Sequence, residues 1–471
     1  MEVSCPWCGF RADGEYAIHL HIEEHHTDDS PFAVRETVPQ LPPRGGREAT
    51  EPREPRPPSE PWTKCTRRGC GEYVQFADID EHLEMHEAVA AVEVDERRSS
   101  NESGSDGRTR LTKPRSRGQR AERRAGTSQK TDSNERNGIL QYFSGNSSRA
   151  PSLPINLRNP LKTRQQNGRL GTAELGPHAF EKSMPSDVRR VLEQGGKPVY
   201  ENKIGPKGKL VKEASILNET SRLVPILADL SSLDPTTTTA YYCNRNVRHI
   251  HKLRCDGNFC GYWNIQMLLT HLHAVSPDPT YRDRALPTIL QIQNTIEDAW
   301  DAGTCTYGRT ETGGIRNTRK WIGTHEAAAY FLHTGISVTA MSFKSSEGEP
   351  PAHTQLLDYI EAYFISGLDR AKKVDNHREV YITQLPPVYF QRAGHSLTIV
   401  GLERTDEGGR ELLMFDSSFA TTEPMRKLVG GRNAHARVST LMKPYRKDEE
   451  WLERWWEFEI LIPVAQDAKQ G

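Results

Sequence analysis

The chain has 471 residues with balanced charge, 62 Lys and Arg against 63 Asp and Glu. Only 35% of the residues are hydrophobic and the mean hydropathy is −0.71, too low for the whole length to pack into one core. No apolar run approaches the ~20 residues that span a bilayer, and "MEVSCPWCGF" at the start is not a secretory signal. We therefore expect no membrane partner and reduced cysteines, which favours metal binding or catalysis over disulfides.

Residues 1–27 form the first predicted module, a zinc finger that we name finger one. Its ligands would be Cys5, Cys8, His21 and His25, with two residues between the cysteines and twelve before the first histidine. His26 is an alternative fourth ligand, and His25 gives the commoner spacing. A module this short cannot fold on its own core, so the metal would supply most of its folding energy.

Residues 61–90 form a second predicted finger, which we name finger two. Its ligand pattern is Cys65 and Cys70, followed by His82 and His86 one helical turn apart. Two such patterns in 90 residues predict two structural zinc ions per chain, and no cofactor for catalysis.

The predicted finger helices carry acidic side chains where a DNA-reading finger carries Arg or Lys. Such helices favour a basic, partly apolar protein surface over nucleic acid, and ubiquitin presents a surface of that kind. The acidic residues are Glu15, Glu23 and Glu24 in finger one, and Asp78, Asp80, Glu81 and Glu84 in finger two.

Two segments read as linkers. Residues 28–60 are rich in Pro, Glu and Arg, and residues 91–170 are rich in Ser, Arg, Gly and Asn, a composition that predicts disorder. The basic stretch 108–124 in the second linker fits a solvated tail, a nuclear-localisation signal or a nucleic-acid contact equally well. Nucleic acid is not the favoured partner.

The rest of the chain predicts an α+β domain. A helical segment at 171–209, expected to bind ubiquitin or to cap the domain, precedes a domain at 210–466. The helices of that domain come early and its strands come late, so the sheet should be mostly antiparallel. The helical stretches are "TILQIQNTIEDAWDAG", "THEAAAYFLHTG", "HTQLLDYIEAYFISG" and the stripe of Ile265, Leu268, Leu269 and Leu272. The strands are "SVTAMSF", "REVYITQ", "HSLTIVGLE", "ELLMFDSS" and "WEFEILIPV".

Cys260 lies just before the apolar stripe, at the predicted first turn of a helix. The helix dipole and free N–H groups at that position stabilise a thiolate and can serve as part of an oxyanion hole. Gly257 and Gly261 would leave room for a substrate chain. We expect a structural role for Cys243 and a structural or incidental one for Cys255, and Cys305 lies in a polar loop with no nearby base.

A base and an orienting carboxylate for this thiol are found on one predicted hairpin. His395 opens a strand, "TDEGG" forms the turn, and Asp416 ends the returning strand. Gln391, four residues before His395, has an amide that could reach an oxyanion. The chain order Cys, His, Asp, with 135 positions from Cys260 to His395, is that of papain-like thiol proteases.

Five ordered motifs, "CGYWNIQML", "IEDAW", "KWIGTHE", "PPVYFQRAGHSLTIVG" and "LLMFDSS", resemble the ubiquitin-fold-modifier-specific peptidases, and within them the zinc-finger deubiquitinase branch. The resemblance covers roughly 215–465. It implies a papain-like fold, with Cys260 as nucleophile, His395 as base, Asp416 as orienter and Gln391 in the oxyanion hole. It also implies that Asp298 and Glu326 receive the basic C-terminal tail of ubiquitin.

Two departures from the family pattern flank the nucleophile. This chain has Asn258-Phe259 where the family has Trp-Gly, and Trp263 where it has Arg. Their effect on the diglycine groove is open.

The function expected from the resemblance is a monomeric deubiquitinase that cleaves after Gly-Gly, with a preference for polyubiquitin of the lysine-sixty-three linkage, in nucleus and cytoplasm. The alternatives are a peptidase for ubiquitin-fold modifier, an inactive ubiquitin-binding adaptor and a zinc-finger nucleic-acid binder.

Overall fold

The structure is a computed structural model that describes residues 2–4, 11–13, 62–68, 70, 73–75, 78–105, 170–204, 210–253, 259–282, 284–374 and 378–464. The chain divides into two compact units, Met1–Glu60 and Pro61–Gly471. In the first unit, strands β1 (Glu2–Ser4) and β2 (Arg11–Asp13) pair antiparallel. The four predicted ligands of finger one, and His26, lie outside the described residues.

The second unit carries the remaining elements. Its strands are β3 (Trp62–Lys64), β4 (Tyr73–Gln75), β5 (Val199–Ile204), β6 (Leu210–Ser215), β7 (Glu219–Thr220), β8 (Thr237–Tyr242), β9 (His249–Ile250), β10 (Val338–Lys344), β11 (Lys372–Lys373), β12 (Glu379–Ile382), β13 (Val388–Arg392), β14 (His395–Thr405), β15 (Arg410–Phe415), β16 (Arg446–Lys447) and β17 (Glu457–Pro463).

Its helices are α1 (Ile79–Ser105), α2 (Thr172–Leu175), α3 (Ser186–Gly195), α4 (Leu223–Leu233), α5 (Cys260–Val275), α6 (Pro279–Arg282), α7 (Ile289–Asp301), α8 (Tyr307–Thr312), α9 (Thr324–His333), α10 (Ala352–Ser366), α11 (Glu423–Val429), α12 (Val438–Met442) and α13 (Glu449–Glu453). No helix in the described part of the chain is long and apolar enough to cross a membrane.

A nine-stranded sheet forms the centre of the second unit. Its order is β10-β17-β13-β14-β8-β12-β11, and β15 pairs with both β14 and β16. Every pairing is antiparallel except that of β12 with β8. The predicted α+β class with a mostly antiparallel sheet is therefore confirmed.

Helix α5 packs against β13 and β14 and is buried on every side from Gly261 to His273. The sequence shows one apolar stripe on this helix, yet its polar positions are also buried, and two of them make hydrogen bonds across the core. Asn264 accepts a bond of 2.5 Å from the Thr398 hydroxyl, and the Gln266 amide donates to the carbonyl of Pro287 at 2.6 Å. A helix enclosed in this way holds its first residue rigidly in the core.

The four predicted helices and five predicted strands of the α+β domain are present, as α5, α7, α9 and α10 and as β10, β12, β14, β15 and β17. Two boundaries differ from the prediction. Helix α1 runs through the boundary at residue 90, so 91–105 are helical rather than disordered. The segment 171–209, predicted to be helical, also contains β5, which pairs with β6. Burial of Val92 and Glu96 against the domain explains the first difference, because tertiary contacts outweigh a polar composition.

Candidate active site

Cys260 is the first residue of α5, at the helix start predicted from the sequence. Cys255 and Gly257 lie outside the described residues. The sequence suggested that Gly261 leaves room for a substrate chain, but in the structure that space is occupied by Ile322. A Cβ at this position would lie 2.6 Å from the carbonyl oxygen of Ile322, so the glycine instead lets the segment before α9 approach the cysteine.

A tight hairpin places the histidine. Strands β13 and β14 are joined by Ala393 and Gly394, with Arg392 paired to His395. Gly394 has a φ of +77°, a conformation that glycine adopts without strain. His395 therefore stands at the hairpin tip, as its place at a strand start predicted.

Asp416 follows β15 directly and meets His395 across the sheet. The His395 Nε2 atom lies 3.1 Å from Oδ1 of Asp416, which confirms the predicted pairing. The same carboxylate oxygen accepts a hydrogen bond of 2.8 Å from the Ser418 N–H. With Nε2 facing the carboxylate, Nδ1 is the ring nitrogen left for the thiol of Cys260, to which His395 is also hydrogen-bonded.

A buried histidine that the sequence did not single out supports this carboxylate. His249 lies 2.9 Å from the backbone oxygen of Asp416 through Nε2, and 3.0 Å from the Thr421 hydroxyl through Nδ1. Burial lowers the pKa of His249 to about 4, so the ring is neutral at physiological pH. Its two hydrogen bonds hold the loop that carries Asp416 in place. Only its distance in sequence from the triad hid it.

The electrostatics of the three groups favour an ion pair of thiolate and imidazolium. Burial alone raises the pKa of the Cys260 thiol, but the hydrogen bond and charge of His395 outweigh it and lower the pKa below the usual range. Burial opposes the charged form of His395 as well, yet Asp416 and Cys260 hold its pKa well above the usual range. Burial raises the pKa of Asp416, but the charge and the hydrogen bond of His395 outweigh burial and lower this pKa strongly. Such a pair titrates as a unit.

Ser396 is a second group at the site that sequence reasoning missed. Its backbone N–H and its hydroxyl both hydrogen-bond to Cys260 and help to lower the thiol pKa. The Tyr389 hydroxyl lies 3.1 Å from the Ser396 hydroxyl, which in turn donates to Oε1 of Gln391. The amide nitrogen of Gln391 donates to the Arg392 carbonyl at 2.7 Å. The predicted Gln391 is thus beside the nucleophile, linked to it through the neighbour of His395.

The other described late cysteines differ from Cys260. Cys243 is fully buried and its pKa is raised by burial. Cys305 is partly buried, and burial again raises its pKa. Neither resembles an activated thiol, which agrees with the structural role predicted for Cys243.

Two clefts meet at Cys260, and Trp321, Arg392, Gly394 and His395 line both. The first, which we name the Gly323 cleft, also contains Gly323, Glu326 and Gln391. Glu326 caps the start of α9 by accepting a bond of 2.9 Å from the Gly323 N–H. Asp298 lies outside both clefts. Its side chain is 59% exposed and pairs with Arg316 at 3.1 Å, so the structure does not place it with Glu326 beside the nucleophile.

The second cleft, which we name the finger cleft, extends from Cys260 past Asp416 and Ser418. Its opposite side is formed by finger two, which contributes Val74, Asp78, Glu81, His82 and Met85. Nothing in the sequence pattern predicts that a zinc finger lies over the Cys260, His395 and Asp416 site.

Finger two has the geometry of a zinc site. The ligand atoms of Cys65, Cys70, His82 and His86 all lie within 4.8 Å of one another. Sγ to Nε2 distances are 3.1 and 3.6 Å, and the two Nε2 atoms are 3.1 Å apart. Tetrahedral Zn²⁺ would hold S and N about 3.6 Å apart, and two N atoms about 3.3 Å apart. The four residues therefore fit one zinc ion, which would supply the folding energy of the module.

The acidic residues of finger two are largely occupied within the chain. Asp78 and Glu81 pair with Arg392, and Glu84 pairs with Arg454 at 3.3 Å. Asp80 and Glu84 are exposed, whereas Asp78 and Glu81 are partly buried. The face is therefore used mostly for docking on the peptidase domain rather than for an external partner.

Comparisons with known proteins agree with this geometry. Residues 236–461 match Peptidase family C78. The bovine zinc finger-containing ubiquitin peptidase 1 is 32% identical over 197 residues, 41% of this chain and 33% of that protein, and the human one is 31% identical over 219 residues, 45% and 36%. Ubiquitin carboxyl-terminal hydrolase mug105 of Schizosaccharomyces pombe is 28% identical over 144 residues, 30% and 53%.

The chain thus spans about a third of the length of the zinc finger-containing peptidases that it matches. A crystal structure of UfSP from C. elegans matches over 51% of this chain and 36% of that one, with 14% identity and a TM-score of 0.31. A helix that begins at the cysteine and packs on the sheet carrying His395 and Asp416 is the papain-like arrangement, and residues 236–461, which contain all three residues, match the model of Peptidase family C78.

Proposed function

We propose that this protein is a deubiquitinase, a cysteine isopeptidase that hydrolyses the bond after the C-terminal Gly-Gly of ubiquitin. The observation that carries the proposal is the contact of Cys260, His395 and Asp416 within a family C78 domain, with the thiol pKa lowered and the imidazole pKa raised. The names of the relatives, all ubiquitin peptidases or hydrolases, supply the substrate.

In this mechanism the Cys260 thiolate attacks the carbonyl carbon of the terminal glycine. The C–N bond breaks, and the imidazolium of His395 gives its proton to the departing lysine amine, leaving a thioester on Sγ. Water then attacks the thioester, His395 takes its proton, and the carboxylate of ubiquitin leaves as the thiolate re-forms. Asp416 holds the imidazole in the required tautomer throughout.

The developing oxyanion would be held near the start of α5. The N–H groups there are unpaired within the helix, and the Gln391 amide lines the same cleft as Cys260 and can supply a side-chain donor. In the resting state that amide bonds to the carbonyl of Arg392, so it would have to rotate toward the substrate. The Ser396 side chain would move with the Gln391 amide, because its hydroxyl donates to Gln391.

The Gly323 cleft suits a ubiquitin tail. Ubiquitin ends Arg-Leu-Arg-Gly-Gly, and carboxylates bind guanidinium groups well. Glu326 lines the cleft with Glu311 and Glu459, and Gly323 lies beside Cys260 where a side chain would narrow the diglycine path. We propose Glu326 as a tail-binding residue. Asp298 could meet only a part of the tail farther from the scissile bond, because it lies outside the cleft.

Three finer points belong to the same proposal. The resemblance implies a preference for lysine-sixty-three chains, which a panel of linkage-defined di-ubiquitins would test. Finger one would hold a second zinc ion, so metal analysis of the full chain should give two ions. The protein would act as a monomer in nucleus and cytoplasm.

The deciding experiment uses ubiquitin with a C-terminal thiol-reactive electrophile. We expect a covalent adduct with the native chain, none with Cys260→Ala, and an undiminished one with Cys305→Ala, which removes a partly buried thiol elsewhere. A matching probe made from ubiquitin-fold modifier tests the runner-up substrate. An adduct with that probe alone, or no adduct with either, would contradict the proposal.

A further inference from the structure

We propose that finger two is a fixed wall of the site that receives the lysine side of the scissile bond. This inference rests on the isopeptidase function proposed above. It gives the second zinc finger a part in substrate selection inside the active site, in addition to any binding of partners elsewhere.

The two clefts that meet at Cys260 can each receive one side of the substrate. The scissile bond joins a glycine carbonyl to a lysine Nε, so the substrate must leave the nucleophile in two directions. The Gly323 cleft carries Gln391 and Glu326 and suits the glycine side. The finger cleft leaves Cys260 on the side of Asp416 and Ser418. The departing lysine is therefore assigned to the finger cleft.

The lining of the finger cleft matches a lysine side chain. Val74 and Met85 of finger two face Phe259 and Trp263 of the peptidase domain, and together they offer apolar surface to the four methylenes of a lysine. Trp263 is 4% exposed, and its indole N–H has no hydrogen-bond partner among the described residues. The hydroxyl of Ser418 is buried and equally without a partner there. Such groups can bind polar atoms that a substrate brings.

Phe259 and Trp263 are also the two described positions at which the chain departs from the family pattern around the nucleophile. Both side chains contribute to the floor beneath finger two. The substitutions and the finger therefore form one surface, which answers what these two residues do to the groove: they shape its leaving side.

Finger two is a wall rather than a removable lid, because its contacts are buried. The Arg392 side chain is 4% exposed, binds Glu81 at 2.5 Å and lies 3.5 Å from Asp78. The Trp451 indole N–H donates to the other oxygen of Glu81 at 3.0 Å, and Arg392 stacks on Trp455 at 4.3 Å. Displacing the finger would leave the buried Arg392 charge without its carboxylate partners.

The far end of α1 is anchored as firmly. Val92 is fully buried, and the Glu96 carboxylate binds Lys427 at 2.8 Å and accepts bonds from the backbone N–H groups of His435 and Ala436. Met85 and Val92 add buried apolar contacts to these pairs, so both ends of α1 are held on the peptidase domain.

The test fills the finger cleft from the finger side. Val74→Phe and Val74→Trp place increasing bulk on β4, and zinc content per chain checks that finger two still folds. We expect the kcat/KM for an isopeptide-linked di-ubiquitin to fall at least about tenfold with Trp and less with Phe, because small displacements of a reacting group cost up to about a hundredfold. The rate of adduct formation with the ubiquitin electrophile, which has no lysine side, should change far less.

Glu87→Trp is the matched control, because Glu87 is exposed on the outer side of α1 and lines neither cleft. It should leave both rates as in the native chain. Equal losses of both rates in Val74→Trp would overturn the proposal, since the finger would then act through the His395 hairpin. So would the absence of any loss in a zinc-loaded Val74→Trp protein.

Loss of zinc separates a wall from a cover. In Cys65→Ser with Cys70→Ser, confirmed by metal analysis to lack the ion, a wall predicts slower isopeptide cleavage and no acceleration of adduct formation. Faster adduct formation would overturn the proposal in favour of an inhibitory cover. If the native chain forms no ubiquitin adduct, the proposed function itself has failed, an outcome distinct from all of these.

Discussion

Cys260 and Cys243 lie 17 positions apart in sequence, yet the surroundings of the two thiols have opposite effects. Cys243 follows the central strand β8, is fully buried, and its thiol donates to the carbonyl of Asn244 at 3.8 Å. Burial raises its pKa, so it stays a neutral thiol. Cys260 suffers burial as well, but His395 and Ser396 bond to its sulfur and lower its pKa. A cysteine thus becomes a nucleophile through the groups that hydrogen-bond to its sulfur, whereas burial alone leaves the thiol inert.

The largest expected effect comes from removing the charge behind the histidine. Asp416→Asn should lower kcat for isopeptide cleavage by about 10³–10⁴, because the amide favours the wrong imidazole tautomer and withdraws the charge that raises the His395 pKa. Steady-state kinetics on di-ubiquitin measure this loss. Asp406→Asn, an exposed carboxylate in the turn of the same hairpin, is the control. A loss under tenfold would show that His395 does not depend on Asp416.

An intermediate effect concerns the pH at which each thiol reacts. Alkylation of Cys260 by iodoacetamide should reach half its maximal rate at a pH below that of an ordinary thiol, since the His395 charge stabilises the thiolate. In His395→Ala the midpoint should rise, because burial, which raises the thiol pKa, is then less opposed. Cys243 should react only when the protein unfolds. Mass spectrometry of the alkylated peptides across a pH series measures all three, and an unchanged midpoint in His395→Ala would break the comparison.

The smallest expected effect falls on Cys243 and on stability rather than activity. Cys243→Ser puts a hydroxyl into an apolar site and should cost about 1–3 kcal/mol of unfolding free energy, with no change in adduct formation by the folded protein. Thermal melting with and without the variant measures the cost. Cys305→Ser, at a partly buried site, should cost less than about 1 kcal/mol. A drop in adduct rate for Cys243→Ser would give that thiol a role in catalysis that its burial argues against.

Local patterns determined much of this protein. The apolar spacing after Cys260 was enough to predict a helix, and the strand, turn and strand around His395 and Asp416 were enough to predict that the two meet. The ligands of finger two follow from spacing for the same reason. Each of these features is held together by residues close in sequence, so the sequence itself records the geometry.

Contacts between distant segments were decided only by the tertiary structure. Ser396 was recognisable as a neighbour of His395 but not as a donor to Cys260, and His249 lies 167 positions before the aspartate that it supports. Asp298 and Glu326 looked alike as acidic candidates in the sequence. Only packing put Glu326 in the cleft and Asp298 on the surface.

The polar stretch after residue 90 shows the same limit from the other direction. Its composition predicts disorder, but Val92 is buried, Glu96 finds partners more than 300 positions away, and the helix persists to Ser105. The same helix lays finger two along the catalytic cleft. Sequence spacing fixes what folds locally, whereas the energy of burying one such unit against another depends on surfaces that exist only after folding.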